Sequence, residues 1–302
     1  MLRKRIFLLF LFSGCLSFSQ SKFNQFLEVS DTLNVKRRNA VVLTESVLAT
    51  ASLVGLNTLW YNDYPRSKFH TINDLNEWEK MDKIGHVFTS YQLGRVGADL
   101  LNWSGVSKKD QLIYGATLGF AFLSAVEIFD GFSKEWGFSW YDVGANALGT
   151  GLYVGQELLW EEQRIQIKFS FSESKYASQR PDKLGRSFVE QLLKDYNGQT
   201  YWLSANLHSF FKDSNLPRWL NFAFGYGANG MLTGENEHVN NMFTKPDRYQ
   251  QFYLSFDVNL SKINTKSNVL KTIFSVLNVI KIPLPTLEIN SKKEVVFHLL
   301  PL

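Results

Sequence analysis

The hydrophobic period of the chain changes once, near residue 161, and this change limits what the chain can fold into. Before it, long apolar segments predict helices, whereas after it apolar and polar residues alternate, as in strands with one apolar face. We therefore predict an α+β fold. It has an N-terminal bundle of apolar helices (residues 35–162) and an antiparallel β-rich region (residues 163–302).

Three apolar segments predict the helices of the bundle, and they are residues 39–60, 110–130 and 142–160. Each is about as long as a bilayer is thick. Each also contains one acidic residue, and a charge is expensive at the centre of a bilayer. The acids are Glu45, Glu127 and Glu157. A tightly packed soluble bundle and a membrane-associated bundle are both compatible with this pattern.

Glycines within the bundle segments indicate close helix packing. Gly115 and Gly119 are four residues apart, and so are Gly151 and Gly155. This spacing places small residues on one side of a helix, where a neighbouring backbone can approach closely.

The second part predicts about six amphipathic strands. They are residues 164–172, 201–210, 219–230, 251–260, 284–290 and 293–300. Closed single-chain outer-membrane barrels begin at about eight strands, so we predict an open sheet rather than a full barrel or a pore. Its apolar face is expected to pack on the bundle or against a membrane. Two amphipathic helices, residues 184–196 and 267–280, lie between the strands.

The N-terminus predicts export. Residues 1–19 have the basic, apolar and small-residue regions of a secretory signal peptide. Cleavage after Ser19 is one interpretation, and lipoprotein processing at Cys15, the only cysteine, is the other. The content of 25 Phe, 12 Tyr and 8 Trp fits a protein at a membrane interface. The alternating strands favour the outer membrane or its periplasmic face, with the inner membrane as the alternative.

The net charge of +4 is small and scattered among acids, which argues against a nucleic-acid partner. Membrane lipids or envelope proteins are the expected partners, and the sequence does not define an oligomeric state. The sequence shows no glycine-rich phosphate loop, no HExxH pair and no nucleophile elbow, so no cofactor is predicted.

Polar residues inside the apolar segments are the candidate site. Asp82 and His86 are four residues apart at the start of a predicted helix and therefore share one face. Glu127 ends the second apolar segment, and Asp142 begins the third, where Ser139 and Asp142 have a capping spacing. Antiparallel packing of three helices would bring His86, Glu127 and Asp142 together. They would suit a divalent cation or general acid and base catalysis, or form a purely structural cluster.

Three blocks carry a family resemblance, namely "DKIGH" (82–86), "EIFDG" (127–131) and "GFSWYDVGANALGTGLY" (137–153). In this order they resemble the YfiM-like predicted periplasmic lipoproteins, a domain of unknown function, over residues 78–158. The chain is more distantly similar to VanZ-like membrane proteins. The resemblance implies an envelope location and a shared polar core, without a catalytic assignment. That core is Asp82, Lys83, His86, Glu127, Asp142 and Asn146.

We interpret the chain as an envelope protein of unknown biochemical activity with a structural or assembly role. The alternative is a lipid- or cell-wall-directed hydrolase or transferase that uses His86, Glu127 and Asp142 as its catalytic cluster.

Overall fold

The structure is a computed structural model that describes residues 22–59, 61, 64–234 and 247–300. The predicted signal peptide and Cys15 lie outside these residues. The first part of the described chain forms four long helices, in agreement with its apolar segments. They are α1 (Val35–Leu59), α2 (Met81–Trp103), α3 (Leu118–Asp130) and α4 (Trp140–Trp160).

Helices α2, α3 and α4 form a tight bundle because glycines remove side chains where they cross. A β-carbon at Gly97 of α2 would lie 2.6 Å from the carbonyl oxygen of Gly115, in the π-helical turn Gln111–Gly115 that precedes α3. A β-carbon at Gly119 of α3 would overlap the backbone of Ser90. The close approach predicted from Gly115 and Gly119 is therefore confirmed.

The prediction for the second glycine pair is wrong. Gly151 and Gly155 of α4 face open space, with no atom within 4 Å of an added β-carbon. The glycine that packs is Gly149, where a β-carbon would overlap the carbonyl oxygen of Val87 in α2. A four-residue spacing identifies a helix face but does not tell which face meets the neighbour.

Helix α1 is attached to the bundle mainly at its first turn. There Arg37 donates to the carbonyl oxygen of Trp103 at 3.2 Å and stacks over that indole at 4.4 Å. Further along α1, Leu43 and Leu48 are more than 60% exposed. Val35–Thr58 and Lys108–Asp130 are each long and apolar enough to cross a membrane, judged by length and composition alone.

The second part forms one six-stranded antiparallel sheet in the order β3–β4–β5–β6–β7–β8, which does not close into a barrel. Its strands are β3 (Ile165–Phe171), β4 (Gln199–Asn206), β5 (Leu220–Asn229), β6 (Tyr249–Val258), β7 (Thr286–Asn290) and β8 (Val295–His298). The α+β class and the open six-stranded sheet are confirmed. A separate pair of parallel strands, β1 (Thr71–Ile72) and β2 (Phe138–Ser139), lies beside the bundle.

Short helices connect the strands, and they are α5 (Pro181–Leu184), α6 (Phe188–Lys194), α7 (Leu207–Phe210) and α8 (Asn268–Leu277). The two predicted amphipathic helices correspond to α6 and α8, whose N-caps are the serines at 187 and 267. The predicted strand over residues 201–210 ends at Asn206, because its side chain caps α7 by accepting from the amide of Ser209 at 2.9 Å.

A soluble antiparallel sheet usually packs its apolar face on the core and exposes its polar face to water. This sheet has the opposite arrangement. Its polar face is the buried one, since Lys168 and Asp257 are both 0% exposed and form an ion pair of 2.7 Å. Residues 279–281 run beside the free edge of β3, where Lys281 donates its amide to the carbonyl oxygen of Phe169. The chain then crosses the polar face, and the amide of Ile282 donates to Asp257 Oδ1 at 3.1 Å.

The apolar face of the sheet is only partly covered by the bundle. At one end, Tyr201 of β4 packs against Phe88 of α2, with ring centroids 5.4 Å apart. The rest of this face is open, and its large exposed side chains are Leu203, Phe222, Phe224, Phe252, Leu254, Phe256 and Ile289. The sequence predicted that this face packs on the bundle or against a membrane. The bundle covers one end of the face.

Candidate functional site

The start of α2 places three polar residues of the candidate site. The preceding residues Trp78, Glu79 and Lys80 all have left-handed backbone angles, with φ between 48° and 67°. This tight reversal directs the first turn of α2, which carries Asp82, Lys83 and His86, into the bundle. Such strain in non-glycine residues needs support from the surrounding structure and is frequent near functional sites.

Lys83 is the buried hub of the site. Its Nζ donates to Asp74 Oδ2 at 2.5 Å, to Asp82 Oδ2 at 2.8 Å and to Asp142 Oδ2 at 2.9 Å. Burial alone would lower the pKa of Lys83, but the carboxylates of Asp82 and Asp142 outweigh burial and raise the pKa above its usual value. Lys83 is therefore a permanent cation that joins the segment before α2 to α2 and α4.

His86 is where the three predicted catalytic residues meet. Its Nε2 lies 3.7 Å from Glu127 Oε1, 3.8 Å from Asp142 Oδ1 and 3.9 Å from Asp82 Oδ1. Its Nδ1 lies 3.0 Å from Asn146 Oδ1. In this orientation of the Asn146 amide its oxygen accepts, so Nδ1 carries the hydrogen and Nε2 of the neutral ring presents its lone pair, while the buried amide nitrogen of Asn146 has no partner among the described residues.

The turn between α3 and α4 holds the two acids in place. Ser139 caps α4 by accepting from the amide of Asp142 at 3.2 Å, as its capping spacing predicted. Its hydroxyl donates to Asp74 Oδ1 at 2.6 Å, and its amide donates to Glu127 Oε2 at 3.3 Å. One serine thus fixes both helix ends and leaves the side chain of Asp142 free for the site.

The acids of the site shift in different directions, because burial would raise the pKa of Asp82 but the charges of His86 and Lys83 outweigh burial and lower it. Burial, followed by the charges of Asp142 and Asp130, raises the pKa of Glu127 to about 9. Burial, followed by the charge of Asp82, raises the pKa of Asp142 to about 7, although His86 and Lys83 oppose the shift. At neutral pH Glu127 is therefore protonated.

Two cavities reach this cluster from different directions. One, of about 300 Å³, is lined by Asp82, His86, Glu127 and Asp142 together with aromatic residues such as Tyr61. The other, of about 360 Å³, lies between α2 and the sheet and is also lined by Asp82 and His86. A small molecule or part of a larger substrate can therefore approach His86.

The sequence did not identify Asp74, Asp130 or Tyr196 as members of the site. Tyr196 donates from its hydroxyl to Asp82 Oδ1 at 2.7 Å across a separation of 114 residues. Asp130 accepts at 2.6 Å from Tyr61, a residue in the segment that follows α1. No local spacing relates these residues to "DKIGH". Only Asp130 carried a signal, because it stands within the block "EIFDG".

The family that matches the chain covers residues of the helical bundle and the segment before it. Residues 74–156 match a family described as Predicted periplasmic lipoprotein (DUF2279), a family of unknown function. Searches of curated proteins and of solved structures gave no match. The family match confirms the resemblance predicted from the three sequence blocks and supports an exported, envelope-associated protein. The matched residues include the whole cluster around Lys83 and His86, but neither Tyr196 nor the sheet.

Proposed function

We propose that this envelope protein is a hydrolase or transferase whose acid and base groups are His86, Glu127 and Asp142. Its substrate would be a lipid or a component of the cell wall. The observation that carries the proposal is that Glu127 and Asp142 both lie within 3.8 Å of His86 Nε2, on the wall of a cavity. Positioned acid and base groups beside a cleft are what such chemistry requires.

The side chains divide the roles between them. Asn146 holds the hydrogen of His86 on Nδ1, so Nε2 is free to accept a proton as a general base. The raised pKa of Glu127 keeps its carboxyl protonated and suits it to donate as a general acid. Asp142, held by Lys83, stabilises the imidazolium ion that forms when His86 accepts the proton.

A structural or assembly role is the second candidate, and the bonds of Lys83 favour it. One buried cation tied to three aspartates fixes the position of α2 relative to α4 and to the preceding loop. Buried ionic groups of this kind can define the register of packed helices without catalysing anything. If His86 is catalytic, folded His86→Ala loses turnover. If His86 is structural, His86→Ala loses function only to the extent that it unfolds.

We expect His86→Ala and Glu127→Gln each to reduce turnover at least about 100-fold, the usual contribution of a positioned acid or base. Turnover would be measured on the purified full chain with phospholipid vesicles and with peptidoglycan, by mass spectrometry of the products. His208→Ala, in α7 outside the site, should keep the wild-type rate. Full turnover in folded His86→Ala would overturn the catalytic proposal, and a loss proportional only to unfolded protein would favour the structural role.

We also propose that the open apolar face of the sheet lies against a bilayer, at the outer membrane or its periplasmic face. The inverted sheet supports this, since an apolar outer face and a polar inner face are typical of outer-membrane strands. Exposed Phe211 and Trp219 and the basic residues Lys212, Arg218 and Lys266 follow or precede strands at one end of the sheet. They would meet the interfacial zone and anionic headgroups. Such contact would bring the cavities near membrane-borne substrates.

The double variant Phe224→Gln with Leu254→Gln tests the membrane contact. These residues are cross-strand neighbours about 40% exposed, and burial of their apolar area contributes about 25 cal/mol per Å². We expect roughly tenfold weaker partitioning or more in co-sedimentation with vesicles of phosphatidylcholine and phosphatidylglycerol. The matched control is Val96→Gln with Ile113→Gln, equally exposed on the bundle. Equal losses in both double variants would contradict a specific role for the sheet.

A further inference from the structure

His86 Nε2 has carboxyl oxygens of Asp82, Glu127 and Asp142 around it. One ligand atom each from Asp82, His86 and Asp142 lies within 4.8 Å of the others, and Glu127 Oε1 lies 3.7 Å from His86 Nε2. The set therefore consists of one imidazole nitrogen and three carboxylate oxygens from α2, α3 and α4.

The distances between these atoms are too long for hydrogen bonds. The three oxygens lie 3.7 to 3.9 Å from His86 Nε2, whereas N–H···O bonds span about 2.7 to 3.2 Å. Two ligands that each bind an ion at about 2.1 Å in tetrahedral geometry lie roughly 3.4 Å apart. Each oxygen would have to approach His86 Nε2 by a few tenths of an ångström, and the ligand atoms of Asp82, His86 and Asp142, which lie within 4.8 Å of one another, would have to approach by up to about 1.4 Å.

His86 and Asp142 are oriented so that lone pairs of Nε2 and Oδ1 lie near each other. Nε2 has no hydrogen when Nδ1 donates to Asn146. Lys83 donates to the Oδ2 atoms of Asp82 and Asp142, and the Oδ1 atom of each lies within 3.9 Å of His86 Nε2, that of Asp82 also accepting from the hydroxyl of Tyr196. Asp142 Oδ1 is buried and accepts no hydrogen bond from any described residue, because its 2.7 Å approach to Lys83 Nζ lacks the geometry of one. Buried charged groups are costly unless they are paired or coordinate a metal, so a cation bound between His86 and Asp142 would relieve this cost.

Lys83 does not balance the charge of the site. Its single positive charge is shared by the three carboxylates of Asp74, Asp82 and Asp142. By holding the far oxygens, Lys83 acts as an outer support that orients the near oxygens, as groups behind metal ligands do.

We propose that His86, Asp82, Glu127 and Asp142 bind a divalent transition metal, with Zn²⁺ and Mn²⁺ as the best candidates. One imidazole with carboxylates is a donor set for these ions, whereas Ca²⁺ and Mg²⁺ prefer oxygen ligands alone. The cavity of about 300 Å³ would leave a coordination position open to water or substrate. With a metal bound, His86 Nε2 and Glu127 would act as ligands instead of as base and acid, and a metal-bound water would supply the base. Only this catalytic meaning of the metal rests on the proposed function, because metal binding itself is tested independently.

The experiment measures binding of the metal alone to the purified, untagged full chain after dialysis against a chelator. Equilibrium dialysis with Zn²⁺ and with Mn²⁺, read by mass spectrometry of the metal, gives stoichiometry and affinity. Co²⁺ is added separately, because its visible absorption reports nitrogen and oxygen coordination. The variants are His86→Ala, the near-isosteric Asp142→Asn and Glu127→Gln, and the control His208→Ala. Circular dichroism confirms that each variant is folded.

We expect one ion per chain in the wild type and in His208→Ala, with at least tenfold weaker binding in His86→Ala and Asp142→Asn. Binding by folded His86→Ala and Asp142→Asn equal to the wild type, or no Zn²⁺ or Mn²⁺ binding by the wild type, would overturn the proposal. Metal binding without turnover would uphold the metal site and reject the hydrolase. Turnover without metal binding would leave the acid–base proposal intact and reject the metal site.

Discussion

Lys83→Met should lower the free energy of unfolding by about 3 to 5 kcal/mol, the range for removal of one partner from a buried ionic cluster. Lys83 is the cation shared by Asp74, Asp82 and Asp142, and its side chain is 9% exposed. Methionine keeps the apolar stem but leaves three aspartates facing one another. The measurement is chemical denaturation of the wild type and variant at neutral pH, followed by circular dichroism.

Two comparisons make this expectation specific. Lys134→Met removes an exposed lysine and should change the stability by less than about 0.5 kcal/mol, as surface substitutions do. Adding Asp142→Asn to Lys83→Met should restore part of the loss, because one of the unbalanced carboxylates is then neutral. If Lys83→Met unfolds at the same denaturant concentration as Lys134→Met, Lys83 does not stabilise the bundle as described.

Gly149→Ala and Gly151→Ala should change stability in opposite directions, although the two glycines are two residues apart in α4. An added β-carbon at Gly149 overlaps the carbonyl oxygen of Val87, so α2 and α4 must separate. We expect a loss of about 1 to 3 kcal/mol, as for other insertions into packed interiors. At Gly151 the β-carbon enters open space, and the higher helix propensity of alanine should add up to about 1 kcal/mol.

The same pair of variants also tests the site. Separation of α2 from α4 moves Asn146 and Asp142 away from His86, so Gly149→Ala should lower turnover or metal binding even where the protein stays folded. Gly151→Ala should leave both unchanged. The measurements are thermal unfolding, turnover and metal stoichiometry. Destabilisation of similar size at both positions would show that the α2–α4 crossing is not as close as the structure has it.

The sequence predicted the convergence of His86, Glu127 and Asp142 because each stands at the end of a helix whose existence the apolar period shows. Antiparallel helices with short connections place such ends side by side. It did not predict the bonds of Lys83, since Asp74 lies in an irregular segment with no periodicity. The sequence also did not show that the side chain of Asp142 would bind Lys83 while Ser139 caps the helix.

The strands were predictable in number and position, but their burial was not. An alternating pattern shows that one face of β5 differs from the other and does not show which face is covered. Here the covered face holds Lys168 and Asp257, whose ion pair is supplemented by the carbonyl oxygen of Val258 and the hydroxyl of Ser204. That pairing joins β3 to β6 and is absent from any local pattern.

The hydrogen bond from Tyr196 to Asp82 ties the polar cluster of the bundle to the segment before β4. An exported chain folds after it emerges, and residues 74–156 emerge before Tyr196. The bundle can bring His86 to Glu127 early, yet Asp82 receives its tyrosine partner only when the segment before β4 has docked. The polar cluster is therefore complete only when the segment before β4 is in place.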